Sequence, residues 1–143
     1  MNRILYFAYG SNLNPKRIAR RCPSVITFGA ARLKNYAIAE RLYADIDYRS
    51  GSVVPGVLYS ITEEDLLALD AFEGAPKVYR RIWVDAECQG EIFWAATYQM
   101  TLATKRIRAG LPYPDEYRKI CALGAIFHHI PNKFARKTIR SIA

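Results

Sequence analysis

The sequence predicts an α+β fold in which a mainly antiparallel or mixed sheet curls into a small, partly closed barrel with flanking helices. Strand-like segments crowd into the first hundred residues, while helical periodicity appears at 62–74 and again after Asp115. Ten Tyr, six Phe and two Trp suit strands and lined pockets better than disorder. With 143 residues, 51% of them apolar, the chain is long enough for one domain spanning 1–143 with a sizeable core. No repeat, low-complexity tract or linker divides it.

The first strand is "ILYFAYG" (4–10), apolar at successive positions and therefore covered on both faces. Asn14 then caps a helix with Pro15 at its first position. "VITFGAARL" (25–33) and "NYAIAERLY" (35–43) read as two strands, "SGS" (50–52) as a turn, and "VVPGVLYSI" (53–61) as a further strand in which Pro55 and Gly56 mark an edge or a bulge. "TEEDLLALDAFEG" (62–74) is a short helix with Thr62 as cap, acids in its first turn and Gly74 past its end. "VYRRIWVDAE" and "GEIFWAATYQM" form a hairpin around "CQG". A loop, "TLATKRIRAGLPYP" (101–114), leads to a helix from Asp115 whose inward face carries Tyr117, Ile120, Cys121, Gly124 and His128. A last helix capped by Asn132 follows Pro131.

Several function classes are set aside at this stage. The three cysteines, Cys22, Cys88 and Cys121, lack the close pairing of a metal or redox motif and read as reduced, partly buried thiols. The first apolar run is brief, ends in Gly-Ser-Asn and has no small-residue cleavage site, and no segment reaches the length of a membrane span, so a cytoplasmic location without a membrane partner is expected. The formal charge of +8 comes largely from "NPKRIARR" and the terminal "NKFARKTIR", read as solvated helix faces that aid solubility. A basic surface alone gives only salt-sensitive, sequence-independent nucleic-acid binding, and no RNA or DNA module is present, so nucleic acid is not an expected partner. His128 and His129 are adjacent on a helix and point about 100° apart, which suits packing or solvent better than shared metal ligation. "YGSNL" lacks the second Gly of a nucleophile elbow, and Cys121 reads as a structural thiol.

Two features carry chemistry. In "YFAYGSNLNPKRI" a strand runs directly into Gly10, Ser11 and Asn12 and then a helix start. Gly10 lets the backbone approach a ligand, and with Ser11, Asn12 and the free N–H groups of the next helix it can form an anion cradle; an ordinary polar turn before a capped helix is the alternative. In "TEEDLLALDAFEG", Glu73 continues the inward stripe of Leu66, Leu69 and Asp70. A carboxylate there meets both desolvation and the negative end of the helix dipole, which raise its pKa above the free value of about 4.3 toward that of a general base. A solvated Glu, or one held low by Arg80 or Arg81, is the competing reading.

The blocks "YFAYGSNL", "GSVVPGVLYSI", "LDAFEG" and "PYPDEYRKICALGA" occur in an order and spacing that resemble the gamma-glutamylcyclotransferases, from residue 4 to about residue 131. The resemblance implies a small mixed barrel, no metal and no cofactor. It also implies cleavage of a small-molecule gamma-glutamyl amide by the substrate's own α-amine, releasing 5-oxoproline and a free amine or amino acid. By the same resemblance Glu73 is the catalytic acid/base, the turn residues Tyr9, Gly10, Ser11 and Asn12 together with Tyr6 hold the gamma-glutamyl group, and Tyr117 lines the pocket. Glutathione is a less expected substrate, because glutathione-specific relatives are longer. The chain departs from the family in "APKVYRR", a short and basic connection that leaves the place of Tyr79 open, and in Asp45 within "AERLYADIDYRSGS". A family member that has kept the pocket only to bind a small molecule is the alternative reading.

Overall fold

The computed structural model describes residues 2–135. Five strands close into a barrel in the order β1-β3-β2-β4-β5, with β1 at Arg3–Ala8, β2 at Ile26–Arg41, β3 at Tyr43–Thr62, β4 at Tyr79–Cys88 and β5 at Glu91–Met100. Every pairing is antiparallel except the closure of β1 against β5, which is parallel at Tyr6 and Ala96, so the barrel is mixed as expected. Among the described residues four α-helices flank it: α1 at Pro15–Arg21, α2 at Glu63–Glu73, α3 at Leu102–Ile107 and α4 at Asp115–Phe127.

Alternation along β1 explains why it reads as apolar on both faces. Phe7 joins Leu33, Ile46, Leu58, Val84 and Ala95 in a cluster to which all five strands contribute, which is the barrel interior. Tyr6 points the other way, into a second cluster with Leu13, Tyr59, Leu69, Tyr98 and Ala125, where the helices pack on the outside of the sheet.

The largest departure from the sequence reading lies in β2 and β3. Most of the segments 25–33 and 35–43 merges into the single strand β2, and the chain reverses at Leu42, where φ is +66°, rather than at 50–52. Residues 50–52 lie inside β3. Asn35 at φ +65° and Gly51 at φ +84° sit opposite one another in the hairpin, and Gly51 N–H donates to Asn35 Oδ1 at 3.1 Å. Two facing irregularities in one long ribbon therefore look like a strand break and a turn in the sequence. β1 pairing begins at Val57, so at Pro55 β3 is paired with β2 alone, a local edge that tolerates the missing N–H. Gly56 is not bulged. A Cβ there would fall 2.3 Å from Ala8 O, so glycine is what lets β1 cross at this point.

The helix and hairpin expectations agree with the structure more closely. Asn14 Oδ1 accepts from Lys16 N and Arg17 N, with Pro15 at the first helical position. Thr62 and Asp65 form a reciprocal capping box, and Gly74 ends α2 at φ +67°. The β4–β5 hairpin turns through Gln89 and Gly90, both at positive φ. The segment 101–114 is not all loop: Thr101 caps α3 by accepting from Thr104 N. Asn132 Oδ1 accepts from Phe134 N as a cap would, and the residues of the expected last helix beyond 135 lie outside the described ones.

Candidate active site

A cavity of about 570 Å³ opens where α1, α2, α3 and α4 meet the barrel end. Its wall includes all seven residues singled out in the sequence: Tyr6, Tyr9, Gly10, Ser11, Asn12, Glu73 and Tyr117.

Glu73 is the last residue of α2. The buried Leu66 and Leu69 fix the rotation of that helix, so the position one turn past Leu69 turns inward. The side chain retains 19% exposure, and burial raises its pKa to about 6 against the opposing pull of Arg21 and Arg17. Neither of the expected partners reaches it. Arg81 pairs with Asp70 and Arg80 with Gln99, while Arg21 Nη1 lies 3.9 Å from Glu73 Oε1.

The turn after β1 is a single 3-10 turn, Ser11–Leu13. One part of the expected cradle is corrected: the N–H groups of Lys16 and Arg17 are consumed by the Asn14 cap, so α1 offers its side chains to the cavity rather than free backbone donors. Gly10 also has a different local reason. A Cβ at this position would stand 3.0 Å from both Ala44 Cβ and Tyr117 Oη, so glycine closes the seam between β1, β3 and α4. α4 presses on the same turn, since a Cβ on Gly124 would fall 2.4 Å from the Leu13 carbonyl carbon.

The polar groups form a connected set. Asn12 Nδ2 donates to Tyr6 Oη at 2.9 Å and Asn12 Oδ1 accepts from Arg21 Nη1 at 3.2 Å, which links the turn to Glu73 through Arg21. Tyr59 Oη donates to Asn12 O at 2.8 Å and holds the turn from below. Tyr6 is buried beside Glu73, and both effects push its phenol pKa upward, so it stays protonated. Its oxygen accepts from Asn12, which leaves its hydrogen for an acceptor in the cavity. Tyr9 Oη donates to Tyr98 O at 2.5 Å and Tyr98 Oη donates to Asp70 Oδ1 at 2.6 Å, so these two shape the wall with their donors already engaged.

Tyr79, left open by the sequence, joins Tyr117 in gripping the backbone on both sides of Ala44. Tyr79 Oη donates to Ala44 O at 2.7 Å, and Ala44 N–H donates to Tyr117 Oη at 3.1 Å. Asp45 does not face the cavity. It is fully buried, accepts from Met100 N–H at 2.8 Å and is paired with Arg41 and Lys105.

Sequence reasoning missed Arg17, Arg21, Tyr43, Tyr98 and Arg108 as cavity residues. Arg17 and Arg21 are one helical turn apart directly after the turn, and that spacing is the signal that would have separated them from the solvated cations of α1. Arg108 carries no local signal, because the contact with Tyr43 that accompanies its place in the cavity joins distant parts of the chain. The other residues weighed behave structurally: Cys121 is buried and its thiol pushed up to about 12, while His128 Nε2 lies 3.3 Å from Tyr59 Oη. Among the described residues no group of His, Cys, Asp and Glu is arranged to hold a metal ion, and no helix is long and apolar enough to cross a membrane.

The pattern described as "Gamma-glutamyl cyclotransferase, AIG2-like" matches residues 6–119. The chain is 31% identical to a gamma-glutamylcyclotransferase of Bos taurus, over 93% of this chain and 76% of that protein, and 31% identical with the same coverage to its Homo sapiens counterpart. A solved gamma-glutamyl cyclotransferase structure superposes with a TM-score of 0.77 at 28% identity, covering 96% of this chain and 86% of the other. The barrel, the cavity and these similarities agree, and the chain belongs to the gamma-glutamyl cyclotransferase, AIG2-like family.

Proposed function

We propose that this protein cleaves a gamma-glutamyl amide by attack of the substrate's own α-amine on its γ-carbonyl, releasing 5-oxoproline and a free amine or amino acid. The observation that carries this reading is Glu73, a largely buried carboxylate with a pKa raised to about 6 in the wall of the cavity. The similarity to proteins named gamma-glutamylcyclotransferase supports the same class of reaction.

The chemistry needs a base because an α-amine, with a free pKa of about 8, is mostly protonated at neutrality and has no lone pair to give. Glu73 is ionised at neutral pH and basic enough to take a proton. The amine nitrogen then bonds to the γ-carbon, a tetrahedral centre forms, and the bond from that carbon to the amide nitrogen breaks. Two protons leave the α-ammonium over the sequence and two arrive on the departing nitrogen, with Glu73 as carrier, and no water is consumed. The nucleophile belongs to the substrate, which is consistent with the inert burial of Cys121.

Negative charge builds on the carbonyl oxygen during attack, and the unspent hydrogen of Tyr6 is a donor suited to it. Arg17 supplies positive charge for the substrate α-carboxylate beside the Gly10–Asn12 turn. Holding the carboxylate and carbonyl folds the chain so that amine and γ-carbon meet, which removes much of the entropic barrier to closing a five-membered ring.

The reading is tested by incubating the purified protein with gamma-glutamyl dipeptides, gamma-glutamyl amines and glutathione, and following products by mass spectrometry. Equimolar 5-oxoproline and free amine from at least one member is the expected result. Release of glutamate in place of 5-oxoproline, or no product from any member by folded protein, contradicts it.

A further inference from the structure

The cavity has a second cationic end that ring closure does not use. Arg108 caps the C-terminal end of α3, and it lines the cavity with Tyr43, Ala44, Tyr79 and Tyr117. Its guanidinium carbon lies 5.4 Å from the centre of the Tyr43 ring, and that ring packs edge-to-face on Tyr117 at 4.9 Å. An aromatic face supports the cation while the guanidinium edge keeps its donors available. The ion pairs formed among the described residues all use other cations. Glu116 also lines the cavity, but it is exposed and unpaired with Arg108.

Arg108 is presented from an anchored element. Lys105, one turn earlier on α3, donates to Asp45 Oδ2 at 2.9 Å, to Asp47 Oδ1 at 2.6 Å and to Ile46 O at 2.9 Å. Asp45, which departs from the family pattern, thereby pins α3 to β3 and sets where Arg108 stands.

Charge and position then limit the ligand. Arg21 answers Glu73, and Arg17 stands with Arg21 on α1 beside the turn. Arg108 lies in the sector built by α3 and the start of β3, and Tyr79 is within reach of the charges of both Glu73 and Arg108. In a gamma-glutamyl amide the departing amine lies across the γ-carbonyl from the reacting α-amine. With the α-amine at Glu73, a departing group that runs into the sector of α3 and β3 meets Arg108.

We propose that Arg108, stacked on Tyr43, is a specificity-determining residue that receives a carboxylate carried by the departing amine, so that the protein selects amines bearing a carboxylate over neutral or cationic ones. This rests on the reaction proposed above, and the two are tested separately. Binding is measured by calorimetry on Glu73→Gln, with gamma-glutamyl-alanine and its carboxamide, gamma-glutamyl-alaninamide, as probes of equal shape. Binding of the acid about ten- to a hundredfold tighter than the carboxamide is expected, as for charge-assisted pairing against a neutral amide. Adding Arg108→Ala removes that preference and leaves carboxamide binding within about twofold, and Arg108→Lys retains part of it. Thermal melting checks that each variant is folded. Equal affinity for the two probes, equal loss of both in Arg108→Ala, or no binding of either overturns the proposal. Wild-type protein is assayed for 5-oxoproline with both probes: no product alongside an intact acid preference overturns the reaction and leaves the carboxylate receptor standing.

Discussion

The carboxylate of Glu73 and the guanidinium of Arg21 lie 3.9 Å apart without a hydrogen bond, because Arg21 Nη1 is directed to Asn12 Oδ1 at 3.2 Å. The cation is close enough to lower the Glu73 pKa and too far to hold the carboxylate in one geometry. Burial therefore outweighs the attraction, and the group stays near 6 instead of falling to that of a paired carboxylate. The balance between one neighbour and desolvation sets the proton affinity of the proposed base.

Removing the neighbour shifts that balance in a known direction. In Arg21→Met the attraction is lost and burial remains, so the Glu73 pKa rises above about 6. The acid limb of the pH profile of kcat/KM moves to higher pH with it. An unmoved or lowered limb would show that the limb belongs to another group.

Stability carries the same signature. The folded value of about 6 lies above the ordinary value of 4.5, so the folded chain binds this proton more tightly than the unfolded one. The resulting stabilisation is fully present below about pH 4.5 and is lost as pH rises through about 6, leaving a cost of about 2 kcal/mol from the ionised group at neutral pH. Glu73→Gln is expected to be more stable than wild type by about 1–2 kcal/mol near pH 8, with the advantage gone near pH 4.5. Urea unfolding at the two pH values measures it, and a pH-independent difference would refute the burial assignment.

Asp45→Ala is expected to cost about 3–5 kcal/mol, because it leaves Lys105 and Arg41 without their shared buried anion and Met100 N–H without its acceptor. Chemical denaturation gives the loss. A change below about 1 kcal/mol would mean that Asp47 alone holds Lys105 and Arg41.

Much of this arrangement was legible in the sequence, and the misses have physical causes. Glu73 was readable because Leu66 and Leu69 fix a helical phase, and phase is a local property. Asn14, Thr62 and Gly74 were readable because caps are local too. The β2–β3 ribbon is not legible because Asn35 and Gly51 break the pattern at facing positions, and only the pairing, which resumes on either side of a register shift there, shows that both lie within long strands. Arg108 and Tyr79 were hidden for the same reason, since their roles depend on contacts with Tyr43 and Ala44 that lie far away in the chain.

The most direct test of Glu73 as proton carrier compares wild type with Glu73→Gln on one turned-over gamma-glutamyl dipeptide, measuring kcat for 5-oxoproline release and the affinity of the same compound. Gln keeps the shape and removes the basicity. A fall in kcat of about 10²–10⁴ with affinity within a fewfold of wild type is the expected result. Turnover of Glu73→Gln within about tenfold of wild type would contradict the assignment and place the base elsewhere in the cavity.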